Sequence, residues 1–139
     1  MRAAAVDFGT VRVGLAVGDE LGLLAHPRPH LDGRNPADAV RALAALAEAE
    51  GIDVFVVGLP RTLAGREGTS ARRVRKFADR LSAATRARVV LIDEWLTTRE
   101  ASLRLREQGL DSRKQKQRID SAAAAVLLQS WLDTQRNQP

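Results

Sequence analysis

The chain has 139 residues, 45% of them hydrophobic and 28% charged, a length and balance that argue for one globular domain, residues 1–139, with a sizeable core. It has no cysteine, which excludes disulfides, thiolate metal sites and cysteine nucleophiles. No apolar run approaches the ~18 residues of a membrane span and no signal peptide precedes Asp7, so a cytoplasmic location and no membrane partner are expected. The formal charge of +5 is unevenly spread: residues 1–60 carry 5 basic and 8 acidic side chains, residues 61–118 carry 16 and 7, and residues 119–139 carry 1 and 2. The basic middle favours a polyanionic partner, nucleic acid first, over an arginine bias that merely solvates the surface.

In chain order, Ala3 to Val17 reads as two antiparallel strands joined by a short turn at Gly9. Alternation gives Ala4, Val6 and Phe8 one face and Ala3, Ala5 and Asp7 the other. A carboxylate among alanines must reach solvent or meet a cation, and alone it suits a turn residue. Leu23 to Leu31 contains Pro27 and Pro29, which suit an edge strand, and His26 and His30 are expected at the surface rather than on a metal. Asn35 and Pro36 form an N-cap and first-turn pair for a helix running to about Glu50, with Gly51 to end it. Val54 to Gly58 is a continuously apolar run, a strand buried on both faces, and the strand–helix–strand order implies a parallel crossover.

Leu59 to Thr69 is predicted as a loop carrying Arg61 and Arg66, at the strand end where open α/β sheets bind ligands. Ser70 to about Thr85 is predicted as an amphipathic helix. Val74, Phe77, Ala78 and Leu81 form its stripe, and Arg72, Arg73, Lys76 and Arg80 line another face, suited to phosphates or to solvent. Val89 to Ile92 is a second buried strand ending on Asp93 and Glu94, and Thr97 with Glu100 matches the capping box of a helix to about Gln108. Ser112 to Arg118 is basic, polar and without apolar anchors, expected to order only on binding. A last helix is predicted from about Ile119, packing Ile119, Ala122, Ala123, Val126, Leu127 and Ser130, with a fraying tail after Leu132.

Asp7, Asp93, Glu94 and Asp120 each adjoin apolar sequence. Gathered by the fold, they would form an all-oxygen site for Mg²⁺ or Mn²⁺ of the kind that hydrolyses phosphodiesters. Small residues at Ala3 and Ala5 would let the helix bearing Ala122 to Ala125 pack close and carry Asp120 toward Asp7. The plainer alternatives are a helix N-cap for Asp120 and loop-entry acids for Asp93 and Glu94. No Walker-type loop, His-Glu pair on a helix or serine–histidine arrangement competes.

Asp7-Phe8-Gly9 with Arg12-Val13-Gly14, Val56-Val57-Gly58-Leu59-Pro60 with Gly65, Asp93-Glu94 with Thr97-Thr98, and Asp120-Ser121-Ala122-Ala123 together resemble the YqgF/RuvX family. Its members are described as Holliday junction resolvases and as pre-16S rRNA nucleases. The resemblance implies an α/β fold, an RNase H-like mixed sheet of about five strands flanked by helices, with a carboxylate site for a divalent metal. By motif, Asp7, Glu94 and Asp120 correspond to the acidic triad, with Asp93 as a fourth metal ligand. After Asp-Glu the family usually has arginine; here Trp95 can stack on a base but cannot pair with a phosphate.

The expected function is metal-dependent nuclease action on structured RNA, at the 5′ end of the small-subunit rRNA precursor. Thr10, Arg12, Arg61, Arg66, Arg72, Arg73, Lys76, Trp95, Arg113, Lys114, Lys116 and Arg118 are the expected nucleic-acid contacts. The alternatives are a resolvase of four-way DNA junctions and a non-catalytic ribosome-assembly factor; a nucleotide-binding ATPase is a weaker rival. The sequence leaves monomer and homodimer open.

Overall fold

The computed structural model describes residues 1–60, 68–94 and 112–137, with residue 94 and residues 112–120 described by backbone alone. Its elements are β1 (Ala3–Phe8), β2 (Arg12–Gly18), β3 (Ala25–Asp32), α1 (Pro36–Glu50), β4 (Val54–Pro60), α2 (Thr69–Ala84), β5 (Arg88–Glu94) and α3 (Ser112–Arg136). Arg61, Arg66, Trp95 and the helix expected at 97–108 lie outside the described residues.

The strands form one mixed sheet in the order β3-β2-β1-β4-β5. The β1–β2 and β2–β3 pairs are antiparallel, and β1–β4 and β4–β5 are parallel. This is the five-strand mixed sheet that the family resemblance implies. The prolines sit where a missing amide hydrogen costs least, on the outer strand β3. The β2–β3 register there slips between Val13↔Leu31 and Leu15↔Arg28, which bulges β3 around Pro29 and His30.

Alternation along β1 divides the core in two, as its sequence predicts. Ala4 and Val6, with Phe8 at the margin, pack with Val13, Leu15, Phe55 and Val57 beneath α1 and α2. Ala3 and Ala5 pack with Ala16, Val54 and Val56 beneath α3. Helix α1 starts at the predicted cap: the Asn35 side chain accepts from the Asp38 amide, and Gly51 ends the helix in the left-handed region at φ 66°. Its C-terminal end is tied down by cations. Arg2 donates to the Glu50 carbonyl at 3.0 Å and to the Gly18 carbonyl at 2.9 Å, and Arg28 grips the Glu50 carboxylate through two hydrogen bonds of 2.7 and 3.1 Å.

Helix α3 departs from expectation in three respects. It begins at Ser112, so the basic segment Ser112–Arg118 forms its first two turns rather than a separate linker. Arg, Lys and Gln are good helix formers, and intrinsic propensity prevails there without an apolar stripe. Its buried side is Ser121, Ala123, Ala124, Leu127, Leu128, Trp131 and Leu132. Ala123 and Leu127 are as predicted, whereas Ser130 is exposed and Ala122 and Val126 are half-buried. The helix also continues past Leu132 to Arg136, whose guanidinium meets Asp133 one turn earlier. Among the described residues no helix is long and apolar enough to cross a membrane.

Candidate functional site

Because β1, β4 and β5 run parallel, their C-terminal ends finish at the same end of the sheet. Asp7 lies there on β1, and Leu59↔Asp93 and Pro60↔Glu94 pair β4 with β5. Asp7 continues the row of Ala3 and Ala5 on the α3 side, half-buried and opposite the buried Gly14 of β2. Backbone position 94 has the parity of Val90 and Ile92, which pack into the same core as α3. Asp93 has the parity of Val89 and Leu91, which pack against the opposite core, and it is exposed. The four acids therefore do not share one face: Asp93 occupies a row on the other side from Asp7.

Position 120 follows from how α3 is seated. A Cβ on Gly18, at the far end of β2, would meet Leu132 at 3.7 Å and Leu128 at 3.8 Å, while the Ser121 hydroxyl donates to the Arg28 carbonyl. Arg28 pairs with Leu15 and Leu15 with Val6, the residue before Asp7. Helix α3 thus runs antiparallel to β1, with its residue 121 at the level of Val6. Position 120 also lies one turn before Ala124 and two before Leu127 on the sheet-facing stripe. It is eight residues inside the helix, so an N-cap role for Asp120 is ruled out. What permits this seating is small volume: Ala3, Ala5, Ala16 and Ala124 are each at most 1% exposed.

The turn that follows Asp7 is fixed by glycines. A Cβ on Gly9 would come within 2.6 Å of the Arg12 carbonyl oxygen, and one on Gly33 within 2.3 Å of the Gly9 carbonyl oxygen. The Gly33 amide donates to the Val11 carbonyl at 2.8 Å, so the segment between β3 and α1 braces the β1–β2 turn.

The expected nucleic-acid contacts divide. Thr10, Arg73 and Lys76 line one cavity on the α1–α2 side, Arg72 is exposed outside it, and Arg12 is half-buried at the start of β2. Arg113, Lys114, Lys116 and Arg118 fall on the first turns of α3, and their side chains, like those of Glu94 and Asp120, lie outside the described set. The cavity also gathers Arg34 and Arg80. Sequence offered a signal for Arg80, four and seven residues beyond its partners Lys76 and Arg73 on α2, but none for Arg34, which the glycine contacts bring in.

Among solved structures, the chain is similar to the Fowlpox virus resolvase in its complex with substrate Holliday junction DNA, with a TM-score of 0.63 and 14% identity, covering 97% of this chain and 99% of that one. It is also similar to T. thermophilus RuvC in complex with a Holliday junction substrate, with a TM-score of 0.59 and 17% identity, covering 99% and 97%. These likenesses establish the class of fold, RNase H-like. A family model described as "RuvX: Holliday junction resolvase" matches residues 1–134, and the chain belongs to that family. Relatives named "Putative pre-16S rRNA nuclease" come from Anaeromyxobacter sp. (strain K), 46% identical with 96% of this chain and 97% of the relative covered, and from Chloroflexus aurantiacus (strain ATCC 29366 / DSM 635 / J-10-fl), 38% identical with 97% and 88% covered. Family and relatives together make the protein a nuclease.

Nucleases of this type generally use divalent metal ions. The donor chemistry here fits: Asp7 offers hard carboxylate oxygens, half-buried at a strand end beside small residues. Among the described side chains, no three His, Cys, Asp or Glu gather round one point.

Proposed function

We propose that the protein is a divalent-metal-dependent nuclease that cuts structured RNA and processes the 5′ end of the pre-16S rRNA. Asp7, Glu94 and Asp120 would hold Mg²⁺ or Mn²⁺; Asp93, on the opposite row, stands outside this set. When bound, the ion supplies Lewis-acid stabilisation of the phosphate and a water acidic enough to attack it. The chain's own part is positional. The alanine layer lets α3 approach, the Ser121 hydroxyl holds the helix in register, and the braced turn keeps Asp7 at the strand end. Thr10, Arg12, Arg61, Arg66, Arg72, Arg73, Lys76 and the basic start of α3 would grip phosphates, with Trp95 stacking on a base.

One observation carries this reading: the register from Ser121 through Arg28 and Leu15 to Val6 brings helix position 120 to the level of Asp7. The test is a cleavage panel in Mg²⁺ and in Mn²⁺ on precursor rRNA, single-stranded RNA and a four-way DNA junction. Metal-dependent cutting of the precursor is expected, abolished by Asp7→Asn, Glu94→Gln or Asp120→Asn with RNA binding retained. Cleavage that survives Asp7→Asn and chelation would overturn it.

The family's description and the junction complexes of the similar structures favour a second reading, resolution of four-way DNA junctions. That chemistry needs two sites related by a two-fold axis, so sedimentation of the protein with a junction separates the readings: two protomers per junction, with paired cuts, would favour the resolvase.

A further inference from the structure

Phe8 follows Asp7 on β1 and belongs to the opposite face of the sheet. Its ring stacks on Phe77 of α2 with centroids 4.4 Å apart, and the pair adjoins a cavity of about 630 Å³ lined also by Thr10, Arg34, Arg73, Lys76 and Arg80. The volume lies within the range of small-molecule sites, roughly 300–1,000 Å³.

The charge pattern is one-sided. Arg73, Lys76 and Arg80 recur at helix spacings of three and four, so they share one face of α2 and repel each other. None of the three forms an ion pair with a carboxylate among the described residues. Arg34, on the other wall, meets Asp32 at 3.8 Å as its one ion-pair partner among the described residues, with both side chains more than two-thirds exposed. Four cations round one cavity with an aromatic pair beside them suit an anion that also carries a flat ring.

We propose that this cavity is a nucleotide subsite, in which the cations hold a phosphate group and the half-buried ring of Phe8, backed by the buried Phe77, supports the base. Assigning the nucleotide to the substrate strand rests on the nuclease reading above. A strand crossing the end of the sheet where β1, β4 and β5 finish would present one phosphate on the Asp7 side and a neighbouring nucleotide on the Phe8 side, with the β1–β2 turn between them.

The test is titration of the full chain in EDTA with adenosine 5′-monophosphate and with adenosine, followed by calorimetry and by amide shifts. The monophosphate is expected to bind at least tenfold more tightly than adenosine and to shift amides near Phe8, Arg34 and Lys76. Lys76→Glu and Arg34→Ser, on opposite walls, should each weaken it about tenfold with unchanged melting temperature. Oligoribonucleotides with a 5′-phosphate or a 5′-hydroxyl then distinguish the source: tighter binding of the former marks a chain end, equal binding an internal phosphodiester. Equal affinity for adenosine and its monophosphate, or unchanged affinity in both variants, would overturn the subsite. Asp7→Asn should leave the titration unaltered, so loss of the nuclease reading would show in cleavage alone.

Discussion

The Ser121 hydroxyl donates to the Arg28 carbonyl, joining α3 to the outer strand across 93 residues of sequence. Ser121 is 3% exposed, so removing its hydroxyl leaves a carbonyl without that partner and frees the helix to slide. Ser121→Ala is expected to cost about 1 kcal/mol in urea unfolding. Cleavage, measured in single turnover, should fall further than stability alone predicts, because position 120 moves with the helix. An unchanged rate would separate the bond from the site.

The alanine layer makes a second prediction. Ala5 is fully buried under α3, and leucine there overpacks the layer by roughly 1–3 kcal/mol. If Asp7 and Asp120 share an ion, Ala5→Leu should also lower Mn²⁺ affinity in a calorimetric titration. Unaltered Mn²⁺ affinity would count against the close approach.

Two glycines separate stability from function. Gly33→Ala puts a Cβ 2.3 Å from the Gly9 carbonyl oxygen, so the turn after Asp7 must shift. Cleavage is expected to drop sharply. Gly51→Ala meets no neighbour and strains only the left-handed cap of α1, at a cost of roughly 1 kcal/mol, with cleavage retained. Comparable activity in the two variants would show that the turn tolerates movement.

The Arg28–Glu50 clamp makes stability depend on pH. The hydrogen bond from Arg28 holds the Glu50 carboxyl below its ordinary value, reinforced by the charges of Arg28 and Arg2 and opposed by burial. A depressed folded value means that the unfolded chain takes up the proton first. The contribution is therefore complete above the unfolded value and is lost as pH falls through the folded one. Urea midpoints of the wild type and Glu50→Gln should differ at neutral pH and converge in acid; a constant gap would contradict the linkage.

Much of this was legible in the chain. The period-two pattern of β1 assigned Ala4, Val6 and Phe8 to one core and Ala3 and Ala5 to the other, since a one-residue slip would bury the wrong set. The Asn35 cap, the Gly51 stop and the proline-bearing edge strand are local chemistry, visible without tertiary information. The start of α3 was not legible, because seven polar residues give no amphipathic signal and only propensity marks them as helical. Its buried stripe differs from the expected one for a related reason: Ser121 is polar yet buried, its hydroxyl satisfied by a carbonyl that no sequence pattern reveals. The opposite rows of Asp93 and Glu94 follow from strand alternation, but only once the strand is known to extend through both. Arg34 reached its cavity through a glycine contact between segments that sequence does not link.

The bulged outer strand bears on how copies of this protein can meet. Two of the eight residues of β3 are prolines, and the slip beside Pro29 interrupts the spacing a further strand would need. That rim is a poor template for joining two sheets into one continuous ribbon. A paired assembly able to cut both arms of a branched substrate would have to associate through another surface, leaving each sheet closed on the β3 side.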